Sequence, residues 1–131
     1  MTTLLTRCKV ADLTGAMLDA AVAKALGHEW KWARMCEPDI VEITDWNRPA
    51  TLVNGWRFQP STDWAHAGPI IERERIGLRE PRHPHPFDWG ATSEALSIKT
   101  AGIGSPQYGR TPLIAAMRAF VASKLGEEVE L

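Results

Sequence analysis

Residues 111–126 read TPLIAAMRAFVASKLG, and this stretch carries the strongest helix signals in the chain. Thr111 is a typical N-cap residue, Pro112 suits the first helical position, and Gly126 is the residue type that most often ends a helix. Apolar side chains recur between them at helical spacing as one broad stripe: Leu113, Ile114, Met117, Phe120, Val121 and Leu125. The pattern predicts a helix at about 111–125 that lies with its apolar side on a sheet.

The segment at about 76–100 has the spacing of short strands rather than of a helix. In the run IGLRE, Ile76 and Leu78 fall on one side and Arg79 on the other. The runs FDWGATS and ALSIKTA follow, and in the second Leu96 and Ile98 alternate with Ser97 and Lys99. The run PRHPHP and a turn near 92–94 separate them, and AGIGSPQYGR reads as a loop because of its glycines. We expect a three-stranded antiparallel sheet here, and therefore an α+β fold.

A second helix is predicted near the start of the chain, at about 14–26. Thr14 can cap it by accepting a hydrogen bond from a first-turn amide, and Leu13 and Leu18 have the spacing of a hydrophobic staple. Gly27 is its expected stop signal. Asp19 and Lys24 fall outside the apolar face of this helix.

The stretch PSTDWAHAGPIIERERI, residues 60–76, predicts a further helical segment at about 61–75. Ser61 and Thr62 are its N-cap candidates, and Asp63 suits the first turn. The pair Gly68-Pro69 interrupts the segment, so we expect two short helices or one sharply kinked helix. The charges at 72–75 should cover its outer side, with Glu72 and Arg75 paired.

The remaining stretches are less regular. Residues 28–59 carry many tryptophans, prolines and turn signals, which predicts an irregular segment with one short strand at about 40–43. The acidic end EEVEL is expected to be frayed. With 131 residues, the chain has the length of a single domain, 1–131.

Composition excludes several classes of protein. The formal net charge is −1, so there is no overall positive field to attract nucleic acid. No apolar run approaches the roughly 20 residues of a membrane helix, and MTTLLTRCKVADL does not resemble a signal peptide. Cys8 and Cys36 form no disulfide framework. These features predict a cytoplasmic protein that does not bind a membrane.

Six tryptophans are unusual in a chain of this length: Trp30, Trp32, Trp46, Trp56, Trp64 and Trp89. So many large side chains are difficult to bury together in a small core. Tryptophan is also enriched where proteins contact their partners. One or two of the six are therefore expected to line a contact surface.

Two blocks of the sequence resemble a known family. The run PSTDWAHAGPIIERE, residues 60–74, and the run TPLIAAMRAFVASKLGEEVE, residues 111–130, resemble the NinX-like proteins of tailed phages and prophages, as does the helix end AVAKALG. More distantly, the chain is similar to the phage α/β/α sandwich domains. The resemblance implies a small α+β accessory protein in the cytoplasm of an infected or lysogenic bacterium. The family is one of unknown function, so the resemblance implies no catalytic residue and no cofactor.

Two weaker patterns bear on catalysis and metal binding. His83 and His85, with Asp88 close behind, have a spacing that can ligate a metal ion, although zinc needs three or four ligands. Asp63 and His66 lie one helical turn apart, where a carboxylate and an imidazole can act together. A metal-dependent hydrolase that uses Asp63, His66, His83 and His85 is the third functional hypothesis. A surface loop and a helix cap explain the same residues without catalysis.

A nucleic-acid-binding module is the second hypothesis. A helix, three antiparallel strands and a final helix follow the order of double-stranded-RNA-binding domains. Four arginines lie close together in the chain: Arg73, Arg75, Arg79 and Arg82. Glutamates alternate with them and reduce the local positive field.

The leading hypothesis is a non-enzymatic module that binds a host or phage protein. It depends on the excess of tryptophan, the balanced charge and the lack of a catalytic motif. The residues expected to form the contact surface are Trp64, His66, Glu72, Arg73, Arg75 and Trp89. Self-association through a sheet edge or a tryptophan patch remains open at this point.

Overall fold

The computed structural model describes residues 7–33, 40–44, 57–99 and 106–131. The elements in chain order are β1 (Arg7–Lys9), a 3-10 turn (Val10–Asp12), α1 (Gly15–Ala25), β2 (Trp30–Ala33), β3 (Ile40–Ile43), β4 (Arg57–Phe58), α2 (Trp64–Glu74), β5 (Gly77–Arg79), β6 (Trp89–Thr92), α3 (Glu94–Lys99), β7 (Gln107–Gly109), α4 (Pro112–Leu125) and β8 (Glu128–Glu130). Helices and antiparallel sheets occur together, so the predicted α+β class is confirmed.

Helix α4 is the central element, as its sequence predicts. The Thr111 hydroxyl accepts a hydrogen bond from the Ile114 N–H at 3.1 Å, and the helix ends at Gly126 with a φ of 90°. Eight of its residues are buried: Leu113, Ala115, Ala116, Met117, Ala119, Phe120, Val121 and Ala122. Half of these are alanines, whose small side chains let α4 pack closely against α1, α3, β6 and β7 at once.

The sheet on which α4 lies differs from the prediction in its third strand. Its order is β5-β6-β7, all antiparallel, so the third strand is Gln107–Gly109, within the segment expected to be a loop. The run ALSIK instead belongs to α3. The hydroxyl of Ser93 accepts a hydrogen bond from the Leu96 N–H at 3.1 Å and so stabilises the start of this helix. Leu96 is buried while Ile98 is 72% exposed, which a two-residue alternation does not allow.

Gly109 sets the distance between β7 and α4. A Cβ atom at this position would lie 2.6 Å from Ile114 Cγ2 and 2.7 Å from the Ala115 backbone nitrogen. Neither contact is acceptable, and the second involves backbone that cannot rotate away. The absence of a side chain at residue 109 therefore permits the close packing of helix on sheet.

Residues 28–33, 40–44 and 57–59 are more regular than predicted, and the rest of the segment 28–59 lies outside the described residues. Strands β2, β3 and β4 form a second antiparallel sheet in that order, in which Trp32 faces Val41 and Val41 faces Phe58. The short strand at 40–43 is confirmed. The rings of Trp30 and Trp32 meet edge to face with centroids 5.0 Å apart. The expectation of an irregular segment is wrong for these strands, because β-strand pairing satisfies the backbone between the turn signals.

The acidic end of the chain is ordered, which corrects the expectation of fraying. Strand β8 pairs antiparallel with β1, with Val129 opposite Cys8, and Val129 is buried. Arg7 Nη2 lies 3.1 Å from Glu130 Oε1, and Lys24 Nζ donates to the Glu130 carbonyl at 2.6 Å. Two acidic side chains of the tail, those of Glu128 and Glu130, therefore lie within ion-pair distance of Arg7.

Helix α1 follows the prediction at its end and departs from it at its start. Gly27 has a φ of 79°, and the N–H of His28 donates to the Ala23 carbonyl at 3.0 Å, as in a Schellman cap. Thr14 occupies the N-cap position but its side chain makes no capping hydrogen bond. Asp19, expected outside the apolar face, is buried.

Helix α2 runs without interruption from Trp64 to Glu74, so the predicted break at Gly68-Pro69 is wrong. Pro69 has no N–H to donate to the Ala65 carbonyl. Ala65 and Pro69 are both exposed, so water can hydrogen bond to the Ala65 carbonyl instead. Arg75 ends the helix in the left-handed conformation, with a φ of 53°. Among the described residues, no helix has the length and apolar character needed to cross a membrane.

Candidate functional site

The turn that leads into α2 is held in place by its own backbone. The N–H groups of Thr62 and Asp63 both donate to the Gln59 carbonyl, at 3.1 and 2.9 Å. Asp63 is the N-cap, because its Oδ1 accepts from the Ala65 N–H at 2.8 Å. The prediction that Ser61 or Thr62 caps the helix is therefore wrong. Ser61 is buried and bonded elsewhere.

Asp19 and Ser61 join α1 to this turn. The Ser61 N–H donates to Asp19 Oδ1 at 2.7 Å, and the Ser61 hydroxyl lies 3.4 Å from the Gly15 carbonyl oxygen. Burial raises the pKa of the Asp19 carboxyl to about 6, although its hydrogen bonds with Ser61 act in the opposite direction. Sequence pattern alone missed this residue, because an aspartate on a helix is ordinarily assigned to the solvent side.

His66 is buried, although it was expected to form part of the contact surface. Its Nδ1 accepts a hydrogen bond from the Gln59 N–H at 2.9 Å, and its ring stacks on Phe58 with centroids 5.8 Å apart. A ring nitrogen that accepts a hydrogen bond carries no proton, so the neutral ring holds its proton on Nε2. His66 therefore anchors the first turn of α2 to the end of β4.

Asp63 and His66 do approach each other, as their spacing predicts, but as parts of the scaffold. Asp63 Oδ2 lies 3.9 Å from His66 Nε2, which is longer than a hydrogen bond. The other carboxylate oxygen accepts from the Ala65 N–H, and the imidazole side chain is only 4% exposed. In this geometry the imidazole offers little surface to a substrate in solution, whereas an acid or base must come within hydrogen-bond reach of its substrate.

Two of the candidate metal ligands, His85 and Asp88, are engaged in other contacts. The His85 ring lies on the Tyr108 ring with centroids 3.9 Å apart, and Asp88 Oδ1 lies 3.4 Å from Arg110 Nε. His83 is exposed. Within residues 7–33, 40–44, 57–99 and 106–131, no three histidine, cysteine or carboxylate side chains are grouped as metal ligands.

Trp64 is the most accessible tryptophan in the described part of the chain, with 54% of its surface exposed. It stands on the first turn of α2 beside residues with small or rigid side chains. We call the exposed side of this helix the Trp64 face, formed by Trp64, Ala65, Gly68, Pro69, Glu72 and Arg73. Apart from its neighbours in the chain and the backbone of its own helix, a Cβ added at Gly68 would have no atom within 4 Å, so no other element covers this position.

The charged end of α2 only partly follows the prediction of a solvated row. Glu74 points inward, where Oε1 lies 3.2 Å from Lys124 Nζ and Oε2 lies 3.1 Å from Arg73 Nε. This ion pair attaches the end of α2 to α4. Glu72 and Arg75 remain exposed, and Arg75 lies beyond the last helical residue.

Trp89 lies on β6 and is not part of the Trp64 face. It is half-buried on β6, where it packs against the core opposite Gly109. Trp30 and Trp32 are also partly buried against the core. Trp46 and Trp56 lie outside the described residues.

The comparisons with known proteins give the family. A search of curated proteins found no match. The family described as Bacteriophage P22, NinX matches the chain over residues 9–124. This match includes α1, the α2 block and all but the last residue of α4. The chain therefore belongs to the bacteriophage P22 NinX family.

Proposed function

We propose that this phage protein is a non-enzymatic accessory protein that binds a protein partner, from the host or the phage, in the bacterial cytoplasm. The observation that carries the proposal is the exposure of Trp64, at 54%, on a turn that is otherwise tightly held. Tryptophan is the residue type most enriched among those that contribute strongly to protein binding. The Trp64 face is the contact surface that we assign to it.

The Trp64 face is rigid before any partner arrives. Asp63 caps the helix, His66 ties its first turn to Gln59, and Ser61 ties the preceding turn to Asp19. A side chain presented on a rigid element loses less conformational freedom when it binds. In this proposal His66 acts as a positioning residue, because it is buried and cannot itself touch the partner.

The shape of the Trp64 face suits a protein partner. The indole stands at one end, and Ala65, Gly68 and Pro69 leave a low surface beside it. Glu72 and Arg73 lie at the far end and provide a polar rim of mixed charge. An apolar anchor with a polar border is the usual arrangement of a protein interface.

A nucleic-acid partner has less support at this face. Arg73 is paired with Glu74 at 3.1 Å, and Glu72 is exposed beside it. Phosphate contacts need an excess of unpaired lysine or arginine. The formal net charge of −1 points the same way.

The test is capture of partners on immobilised protein from a lysate of phage-infected bacteria, with mass spectrometry as the readout. Trp64→Ala should reduce recovery of the specific partner at least tenfold. Phe87→Ala is the matched control, because Phe87 is also an exposed aromatic residue, at 74%, but lies on a different segment. It should retain the partner.

Circular dichroism of both variants establishes that they are folded. Equal recovery of the same proteins by wild type and Trp64→Ala would show that the Trp64 face is not the contact surface. Loss of the partner from both variants would point to a different surface that includes the loop of Phe87.

A further inference from the structure

Strand β5 lies at the edge of its sheet in the part of the chain that the structure describes. It is the outer strand of the β5-β6-β7 sheet, and among the described residues no strand pairs with its other side. All three of its residues are exposed. The backbone N–H and C=O groups along such an edge are available to a further strand.

A groove of about 460 Å³ opens beside this edge, on the sheet face that points away from α4. Register places Gly77 beside Thr92, and Arg79, Gly90 and Tyr108 side by side across the three strands. The glycines contribute no side chains, so they form the floor of the groove, and Tyr108 closes it at the far side. The missing side chain of Gly77 leaves the groove open toward the free edge.

The Tyr108 wall is fixed by its neighbours. The His85 ring stacks on the Tyr108 ring at 3.9 Å between centroids. On the groove side, Tyr108 Cε1 lies 3.5 Å from the position that a Cβ on Gly90 would take. The ring is therefore held between the histidine and the sheet, and it presents an edge to the groove.

Unpaired positive charge lies at the same strand. Arg73, Arg82 and Arg110 each have a carboxylate partner, at 3.1, 3.2 and 3.4 Å. In contrast, no described carboxylate pairs with Arg75, just before β5, or with Arg79, at its end. Two exposed arginines without a described carboxylate partner thus lie within β5 and two residues before it, which favours a ligand that carries carboxylates.

We propose that β5 and this groove bind an extended acidic peptide segment of another protein as an added strand. Its backbone pairs with the free edge of β5. One apolar or aromatic side chain crosses over Gly77 into the groove toward Tyr108, and a carboxylate two residues along the peptide meets Arg79. The two side chains lie on the same face of the added strand because side chains alternate along it.

A single-stranded nucleic acid fits this surface less well. Base stacking needs an open aromatic face, and one face of Tyr108 is covered by His85. The strand edge offers backbone donors and acceptors that a peptide uses along its whole length. The peptide accounts for the edge, the groove and the charge together.

The test begins with a displayed library of random heptapeptides, selected in parallel on wild-type protein and on Gly77→Phe. A Cβ at Gly77 meets only the Thr92 carbonyl oxygen, at 3.8 Å, so this variant should fold while its new ring fills the groove. We expect enrichment only on wild type, of sequences with a large apolar residue and a carboxylate two positions apart. Failure to enrich such sequences overturns the proposal.

Fluorescence anisotropy of the most enriched peptide then tests the charge contact. Arg79→Glu should weaken binding at least tenfold, and replacing the peptide carboxylate by lysine should restore binding to that variant. Arg79→Gln removes one positive charge beside the groove. Lys9→Gln is its control, because it removes one positive charge from an exposed residue of another sheet. Only Arg79→Gln should weaken binding.

Two further arms separate this site from its alternatives. Trp64→Ala should leave peptide affinity unchanged, since Trp64 begins α2 and Arg75 follows its last residue, eleven positions and about 16 Å farther along the helix. The peptide proposal can therefore hold when the Trp64 face is not a contact surface, and the Trp64 face can be a contact surface when the peptide proposal fails. Tighter binding of oligothymidylate than of the peptide, abolished by Arg79→Glu, would make this a nucleic-acid site and overturn the peptide proposal.

Discussion

The Ser61 N–H donates to Asp19 Oδ1 at 2.7 Å, and this buried bond joins α1 to the turn that begins α2. The carboxylate satisfies a backbone donor that burial would otherwise leave without a partner. The same burial makes the charged form of Asp19 costly. The connection between the two helices is therefore sensitive to pH.

The first prediction concerns that pH dependence. Burial raises the pKa of Asp19 from 3.8 to about 6. A carboxyl that holds its proton more tightly in the folded state contributes stability below its unfolded pKa, and this contribution is lost as pH rises through the folded pKa. The expected loss is about 3 kcal/mol between about pH 4 and pH 7. Urea unfolding at steps across this window measures it.

Asp19→Asn is the matched variant, since its amide oxygen can still accept from the Ser61 N–H but does not titrate. The other ionisable groups are common to both proteins, so the difference between their unfolding free energies isolates Asp19. We expect wild type to lose stability relative to Asp19→Asn as the pH rises. Parallel curves for the two proteins would contradict the prediction.

The second prediction concerns His66. Replacement by phenylalanine keeps a ring against Phe58 but removes the acceptor of the Gln59 N–H. The hydrogen bond is partly buried, so its unsatisfied donor should reduce the unfolding free energy by about 1–3 kcal/mol. His83→Phe is the control, because His83 is exposed, and it should change stability by less than about 0.5 kcal/mol. Denaturant titration compares them, and equal effects would mean that the buried hydrogen bond contributes nothing.

The third prediction compares two threonines at helix starts. Thr111 accepts a capping hydrogen bond from Ile114, whereas the side chain of Thr14 makes none. Thr111→Ala should therefore cost about 1 kcal/mol, and Thr14→Ala clearly less. Thermal unfolding followed by circular dichroism ranks the two variants. The reverse order would show that the residue type, rather than the hydrogen bond, determines the effect.

The fourth prediction compares two glycines with opposite surroundings. Alanine at Gly109 would bring a Cβ within 2.7 Å of the Ala115 backbone nitrogen, so β7 and α4 must separate. We expect a loss of about 1–3 kcal/mol. Alanine at Gly77 meets only the Thr92 carbonyl oxygen, at 3.8 Å, and lies in β5, so it should gain about 0.5–1 kcal/mol. Urea unfolding measures both signs, and the same sign in both variants would contradict this reading.

Much of the fold follows from local signals. Thr111 and Gly126 bound α4 because capping depends on residues next to one another in the chain. Other features depend on distant partners. Strand β8 is ordered by β1, more than a hundred residues earlier, and no local pattern contains that pairing. The run ALSIK fits both the period of a helix and the two-residue alternation of a strand. The capping hydrogen bond to Ser93 favours the helix.

The candidate site was predictable only as far as its residue types allow. An exposed tryptophan was expected, and Trp64 is exposed. The burial of His66 could not be inferred, because it depends on contact with Phe58 and Gln59 from outside the helix. The groove was equally hidden, since Gly77, Gly90 and Tyr108 meet only through strand register.

The fifth prediction concerns Arg118, which links three separate parts of the chain. Its Nε donates to the Leu13 carbonyl at 2.9 Å, and its Nη1 donates to the Tyr108 carbonyl at 2.6 Å. Burial lowers the pKa of the guanidinium, while the charges of Asp12 and Asp88 act against this. Arg118 therefore holds α4 to the segment before α1 and to β7 through a charged group with two directed donors.

Arg118→Met keeps much of the apolar length of the side chain but leaves both carbonyls without this donor. The unfolding free energy should fall by about 1–3 kcal/mol. The unfolding free energy of Arg118→Lys should lie between those of wild type and Arg118→Met, because a single ammonium group cannot donate to both carbonyls in the geometry of the guanidinium. Arg110→Met is the control, since Arg110 is exposed and its pair with Asp88, at 3.4 Å, should contribute about 0–1 kcal/mol. If urea unfolding gives the same loss at residues 110 and 118, the two carbonyl contacts of Arg118 do not stabilise the fold.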